Sequence, residues 1–190
     1  MFGSIVASIE FAVERSMSFI LVILATILCA PAFGGDGERY DGYVLYNPLM
    51  NSTTTYLVDN SGNIIHTWEG ASGIASTPYL FKGGDLLRPC RAPGDIAMNG
   101  AALGGRIQRI SIDGEILWDF IFSDENNQPH HDICPMPDGN VLIVAWDRHT
   151  QAEAAARGRI NPVEMWPTQI VEFKPTGLYT GEIVWEWHIW

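Results

Sequence analysis

Two adjacent imidazoles followed by a carboxylate, Pro129-His130-His131-Asp132, are the residues of this sequence best suited to chemistry. An imidazole titrates near neutral pH and can serve as acid, base, nucleophile or donor to an anion. Asp132 is close enough in sequence to orient one of the two rings, and Arg91, Arg148 or His149 could meet an anionic group. Ordinary hydrogen bonds within a turn would also account for both histidines. His66 lies inside a strand-like run and reads as a packing or surface residue, while the role of His188, after Trp185-Glu186-Trp187, stays open. No Cys-x-x-Cys or His-x₃-His spacing occurs, so no structural zinc site is expected.

The elements that must position these groups are β-hairpins. Residues 55–70, 106–120 and 168–187 share one pattern: an alternating apolar strand, a polar glycine turn, and a second strand carrying Trp68, Trp118 or Trp185. The turns read as Asp59-Asn60-Ser61-Gly62, Asp113-Gly114 and Lys174-Pro175-Thr176-Gly177, with glycine supplying the positive φ of a tight hairpin. Residues 77–91 match residues 132–146 when Gly84 is laid on Gly139, and their continuous apolar character predicts strands buried on both faces. This alignment puts Ser76 opposite His131, so the earlier unit has no equivalent histidine.

The order is therefore inner hairpin, long connection, outer hairpin, and then the same again. Gly62 and Gly114 stand 52 residues apart, and Gly84 and Gly139 stand 55 apart. Four strands per roughly 50 residues is the arithmetic of a β-propeller blade. Residues 36–190 hold about three such units, whereas propellers close with about four to eight. The expected fold is all-β, a partial propeller over residues 33–190 whose remaining blades lie past Trp190. A compact two-sheet β domain is the alternative. The long connections, residues 92–105 and 148–166, fall at equivalent points of the unit, and the Ala-rich middle of the second predicts a short helix. Connections of this length on one face of a rigid scaffold suit binding or lid roles, and purely structural inserts are as common.

Residues 1–32 read as a secretory leader. An uncharged apolar run of fifteen, Phe19 to Phe33, ends in the small-residue pattern Ala30-Pro31-Ala32. A membrane anchor would need about 20 apolar residues, and bulky Leu28 before Cys29 does not suit a lipoprotein. Export leaves Cys90 and Cys134, either paired or as two buried thiols. The net charge of −11, with no cluster of Lys and Arg, argues against a nucleic-acid partner. Asn51-Ser52-Thr53 fits a glycosylation sequon, of consequence only in a eukaryotic secretory pathway.

At these residues the chain resembles the arylsulfotransferase (aryl-sulfate sulfotransferase) family. The matching stretches are residues 55–69, the inner hairpin with Leu86-Leu87-Arg88, residues 130–147, and onward through residues 152–158 to 183–190, with residues 130–190 the most specific part. The resemblance implies a six-bladed propeller, periplasmic or secreted, with no stable membrane anchor and no cofactor. It implies transfer of a sulfuryl group from a small aromatic sulfate ester to a phenol through a sulfated histidine, without a nucleotide sulfate donor. Other histidines and an arginine around the channel stabilise the sulfuryl oxygens, and His131 matches one of those histidines, with His130 beside it. Arg148 and Arg91 are the guanidinium groups of this sequence placed to bind substrate. The nucleophilic histidine and the family's active-site arginine have no counterpart among these 190 residues. Two rival expectations are a non-catalytic propeller that binds a ligand or partner on its long-connection face, and a structural surface-assembly repeat.

Overall fold

The computed structural model describes residues 40–49, 52–94 and 103–190. The leader, the sequon residue Asn51 and most of the first long connection lie outside the described residues.

Hairpin turns of one kind set the architecture. At Asp59, Phe81, Ser111 and Met136 the backbone carbonyl accepts from the amide three residues on, and the amide of the same residue donates to the carbonyl four residues on. Such a loop, a tight turn followed by one left-handed residue, matches the twist of the flanking strands. The left-handed position is filled by glycine each time, as at Gly114 (φ 86°) and Gly139 (φ 93°), where a side chain would be strained.

These turns fold the chain into three antiparallel sheets, each a meander of consecutive strands. The first contains β1 (Tyr43–Tyr46), β2 (Thr54–Asp59) and β3 (Ile64–Glu69). The second contains β4 (Tyr79–Leu80), β5 (Leu86–Arg91), β6 (Gly105–Ile110) and β7 (Ile116–Ile121). The third contains β8 (Asn127–Pro135), β9 (Val141–Asp147), β10 (Thr168–Gly177) and β11 (Thr180–His188). A six-residue helix, α1 (Gln151–Ala156), forms in the Ala-rich connection between β9 and β10, with Thr150 and Glu153 closing a capping box.

The last hairpin departs from the sequence expectation. Gly177 is not its turn glycine: it pairs with Thr180, so the tip is Leu178-Tyr179. The reason lies in the neighbouring sheet, because the Asp119 amide donates to the Leu178 carbonyl and Trp118 Nε1 donates to the Thr180 carbonyl at 3.0 Å.

The second sheet packs on the other two, one on each face. Leu86 and Ile110 meet Trp68, Leu45 and Leu57 of the first sheet. Leu87, Ile107 and Trp118 meet Ile133, Val141, Ile143, Val171 and Phe173 of the third. β5 is thus buried on both faces, as its sequence predicts, but β9 alternates between buried and half-buried residues. Among the described residues nothing packs on the far face of the third sheet, so the expectation of two-sided burial fails there. The two thiols are free, Cys90 buried and Cys134 exposed. Cys90 alternates with Leu86 on the face toward the first sheet, while Cys134, opposite Leu142, sits on the far face of the third.

Arg88 is wholly buried between the first two sheets. Its Nη1 donates to the Ser72 carbonyl at 3.1 Å and its Nη2 to Asn47 Oδ1 at 3.2 Å, leaving Nε without a partner. Burial lowers its pKa. The guanidinium lies where a side chain on Gly70 would be, since a Cβ there would come within 1.4 Å of Arg88 Nη1. Gly70→Ala is therefore expected to displace the guanidinium from its acceptors and destabilise the fold by about 1–3 kcal/mol. Denaturant titration checks this, and an unchanged midpoint would show that Arg88 swings aside freely.

Candidate functional site

Within the second and third sheets, the meander puts the turns at Gly84, Gly114 and Gly139 at one end and the strand ends that lead into and out of the long connections at the other. His130 and His131 sit at the connection end, where β8 enters beside the end of β9.

β8 is irregular at this point. Pro129 pairs with Ala145 and Ile133 with Ile143, so His130, His131 and Asp132 together face the single residue Val144. Such a bulge breaks the alternation of side chains along a strand. His131 carries the strain, with φ 57°, as the one non-glycine residue in the left-handed region among those described. Adjacent strand residues would point to opposite sides, as a regular strand predicts; here they do not. The two rings meet edge to face, with Nδ1 of His130 2.7 Å from Nδ1 of His131.

Their surroundings differ sharply. His130 is buried, its ring centroid 4.1 Å from that of Trp146, and its backbone bridges to Leu103 of the first long connection. Burial, and then the charge of His131, push its pKa down to about 4, so it is neutral at physiological pH. Its Nε2 is buried with no hydrogen-bond partner. A buried N–H left unpaired costs more than a bare ring nitrogen of a neutral imidazole. That assigns the His130 proton to Nδ1, which donates to His131 Nδ1. With the His130 proton there, the neutral form of the His131 ring would carry its own on Nε2. His131 is exposed, and in that form it would offer an oriented N–H donor rather than a base.

The remaining candidates are placed elsewhere. Asp132 does not orient a histidine: its Oδ2 accepts from the Tyr79 hydroxyl at 2.9 Å and its Oδ1 from the Ile133 amide. Burial, and then this carboxylate, push the Tyr79 phenol up to about 12, fixing it as a donor that ties β4 to β8. Arg148 is engaged by Glu164, with Nη2 at 2.7 Å and Nε at 3.1 Å, and lies over Trp166. Arg91 ends β5 opposite Gly105, exposed, with no side-chain hydrogen bond to a described residue. Neither guanidinium is hydrogen-bonded to the histidine pair. His66 packs edge-on against Trp68, as a packing residue should.

One constellation was not read from the sequence. Asp147 Oδ2 accepts from His149 Nε2 at 3.0 Å and from His188 Nδ1 at 2.8 Å, and Trp190 stacks on His149 at 4.0 Å. The Asp-x-His spacing of residues 147–149 is a local signal for half of it. His188 arrives only through strand pairing, since Trp146 lies opposite Thr168 and Gln169 opposite His188. This group ties the second long connection to the end of β11.

The hollow lined by His130 and His131 holds about 10 Å³, room for about one water and not for a ring. A ligand of His131 must therefore approach from its exposed side. A separate opening, about 330 Å³ lined by Phe81, Leu87, Arg109, Trp118, Met136 and Val141, lies between the second and third sheets at the turn end. No protein-family model and no curated protein matches the chain.

Proposed function

We propose that the three sheets are successive blades of a secreted β-propeller of the arylsulfotransferase type, six-bladed by resemblance, in which His131 stabilises a sulfuryl group in transit between phenols. The observation that carries this reading is the exposed imidazole of His131, whose Nδ1 lies 2.7 Å from Nδ1 of the buried His130 at the start of a first strand. In this chemistry an imidazole nitrogen attacks sulfur, the ester oxygen leaves as a phenolate and takes a proton, and the acceptor phenol then displaces the nitrogen as it loses its own. Negative charge stays on the sulfuryl oxygens throughout, so a preorganised donor at that position lowers the barrier. The nucleophilic imidazole comes from another blade, and His131 acts as a donor to the oxygens. Arg91, exposed and without a side-chain hydrogen bond to a described residue, would add charge, whereas Arg148 must first leave Glu164.

The chain itself permits a test. Adding 4-nitrophenyl sulfate is expected to shift the His131 Nε2–H resonance in a nitrogen–proton NMR spectrum, and 4-nitrophenol, which lacks the sulfuryl oxygens, is expected not to. Identical responses to the two compounds would remove the sulfuryl contact. A second reading, a non-catalytic propeller that binds a small apolar ligand, draws on the 330 Å³ opening between the sheets. It predicts that binding perturbs Trp118 and leaves His131 unmoved.

A further inference from the structure

Leu87, Arg109 and Trp118 lie directly opposite one another across β5, β6 and β7, on the face that Ile107 turns to the third sheet. Val141, the first residue of β9, stands across from them, with Phe81 and Met136 at the hairpin turns beside it. These side chains enclose the opening of about 330 Å³. Its walls all come from the second and third sheets and their turns, so it does not depend on what packs on the outer face of the first or third sheet. Most polar groups on the wall are already engaged. Trp118 Nε1 donates to the Thr180 carbonyl, and Asn140 Nδ2 donates to Asp138 and Glu172. Arg109 is the one charged side chain among the described lining residues. Its Nη2 donates to Asp85 Oδ2 at 2.9 Å and its Cζ lies 4.7 Å from the Phe81 ring centroid. Its Nε is buried without a partner, an unmade hydrogen bond that costs stability.

We propose that this opening binds a small, neutral aromatic molecule carrying one acceptor oxygen, of the aryl ketone kind, with the oxygen on the Arg109 guanidinium. Small-molecule pockets of about 300–1,000 Å³ combine a mainly apolar lining with a few polar groups that orient the ligand, and this opening has both. Phe81, Leu87, Trp118, Met136 and Val141 suit a flat apolar body. Arg109 is the polar group on the wall with N–H donors left over, so the ligand must bring an acceptor. Asp85 already neutralises the guanidinium, and a carboxylate on the ligand would meet that charge at close range. A neutral oxygen gains the hydrogen bond without the repulsion. The proposal takes its opening from the second reading above and names the ligand class. It is independent of the group that His131 meets at the other end of the sheets.

The Trp118 indole N–H resonance of the 190-residue chain provides the readout, because its bond to Thr180 also reports that the two sheets stay together in each variant. Acetophenone and ethylbenzene, alike in size but differing in the oxygen, are both expected to shift it on titration, and benzoate is expected to bind more weakly than acetophenone. Arg109→Leu should weaken acetophenone at least about 10-fold relative to ethylbenzene, the scale of a lost hydrogen bond to a charged group. Asp85→Asn leaves the guanidinium unneutralised and should tighten benzoate at least about 5-fold. Met136→Trp, which narrows the opening, should weaken acetophenone and ethylbenzene alike. Equal losses of those two ligands in Arg109→Leu would overturn the oxygen contact and leave the second reading standing. Benzoate binding the unaltered chain more tightly than acetophenone would sink the neutral class. A Trp118 resonance that none of the three compounds moves, or that Met136→Trp leaves fully responsive, would defeat this site and the second reading together.

Discussion

His131→Ala is expected to lower sulfuryl transfer by about 10²–10³-fold, or roughly 3–4 kcal/mol, the usual cost of removing one preorganised donor. On the proposed reading, the assay needs a polypeptide that joins these three sheets to a blade bearing the nucleophile, with 4-nitrophenyl sulfate as donor and phenol as acceptor. The loss should fall on kcat more than on KM, because the charge on the sulfuryl oxygens shifts as the ester bond breaks. Stability should barely change, since the imidazole is exposed. His131→Gly separates function from strain: it removes the imidazole and relieves the left-handed backbone at φ 57°, so it should be as inactive as His131→Ala yet more stable. His66→Ala, which alters a packing contact with Trp68, serves as the control with unchanged turnover. Wild-type rates in His131→Ala would take this residue out of the site. His130→Ala should also slow transfer, by a smaller factor, because it frees the ring that His130 holds.

Below pH 6.5 the wild-type chain is expected to lose stability that a His130→Phe variant keeps. The His130 pKa falls from an ordinary 6.5 to about 4 on folding. Above pH 6.5 both states leave this imidazole neutral, and it contributes nothing to the pH dependence. Between pH 6.5 and 4 the unfolded chain takes up a proton that the folded chain refuses, so folding weakens by about 1.4 kcal/mol per pH unit. The whole effect is about 3 kcal/mol and is complete below pH 4. Carboxylates with lowered pKa, among them Glu69, held by Thr53 and Thr54, also destabilise the fold in acid, but mainly below their ordinary range. Comparing the two proteins from pH 7 to 5 isolates the histidine. Parallel stability curves would mean that His130 protonates freely in the folded state.

The amino-acid sequence by itself determined what is local. Gly62, Gly84, Gly114 and Gly139 mark the four like turns because only glycine enters the left-handed region without strain. Alternation with a period of two marked the strands, and the Ala-rich middle of residues 148–166 marked a short helix, which forms over Gln151–Ala156. The repeat of Trp68, Trp118 and Trp185 was equally legible, since each stands in the second strand of its hairpin.

What depends on a partner strand or sheet was decided only by the tertiary structure. Gly177 looked like a turn glycine, but contacts from Asp119 and Trp118 across the sheets set the tip at Leu178-Tyr179. The bulge at His130-His131-Asp132 exists because β9 offers one residue against three, a mismatch that neither strand reveals alone. It turned two imidazoles expected on opposite sides into a hydrogen-bonded pair, and left Asp132 to Tyr79 of a strand more than fifty residues earlier. Burial separates them chemically: the ring against Trp146 is kept neutral, and its exposed neighbour is left to act.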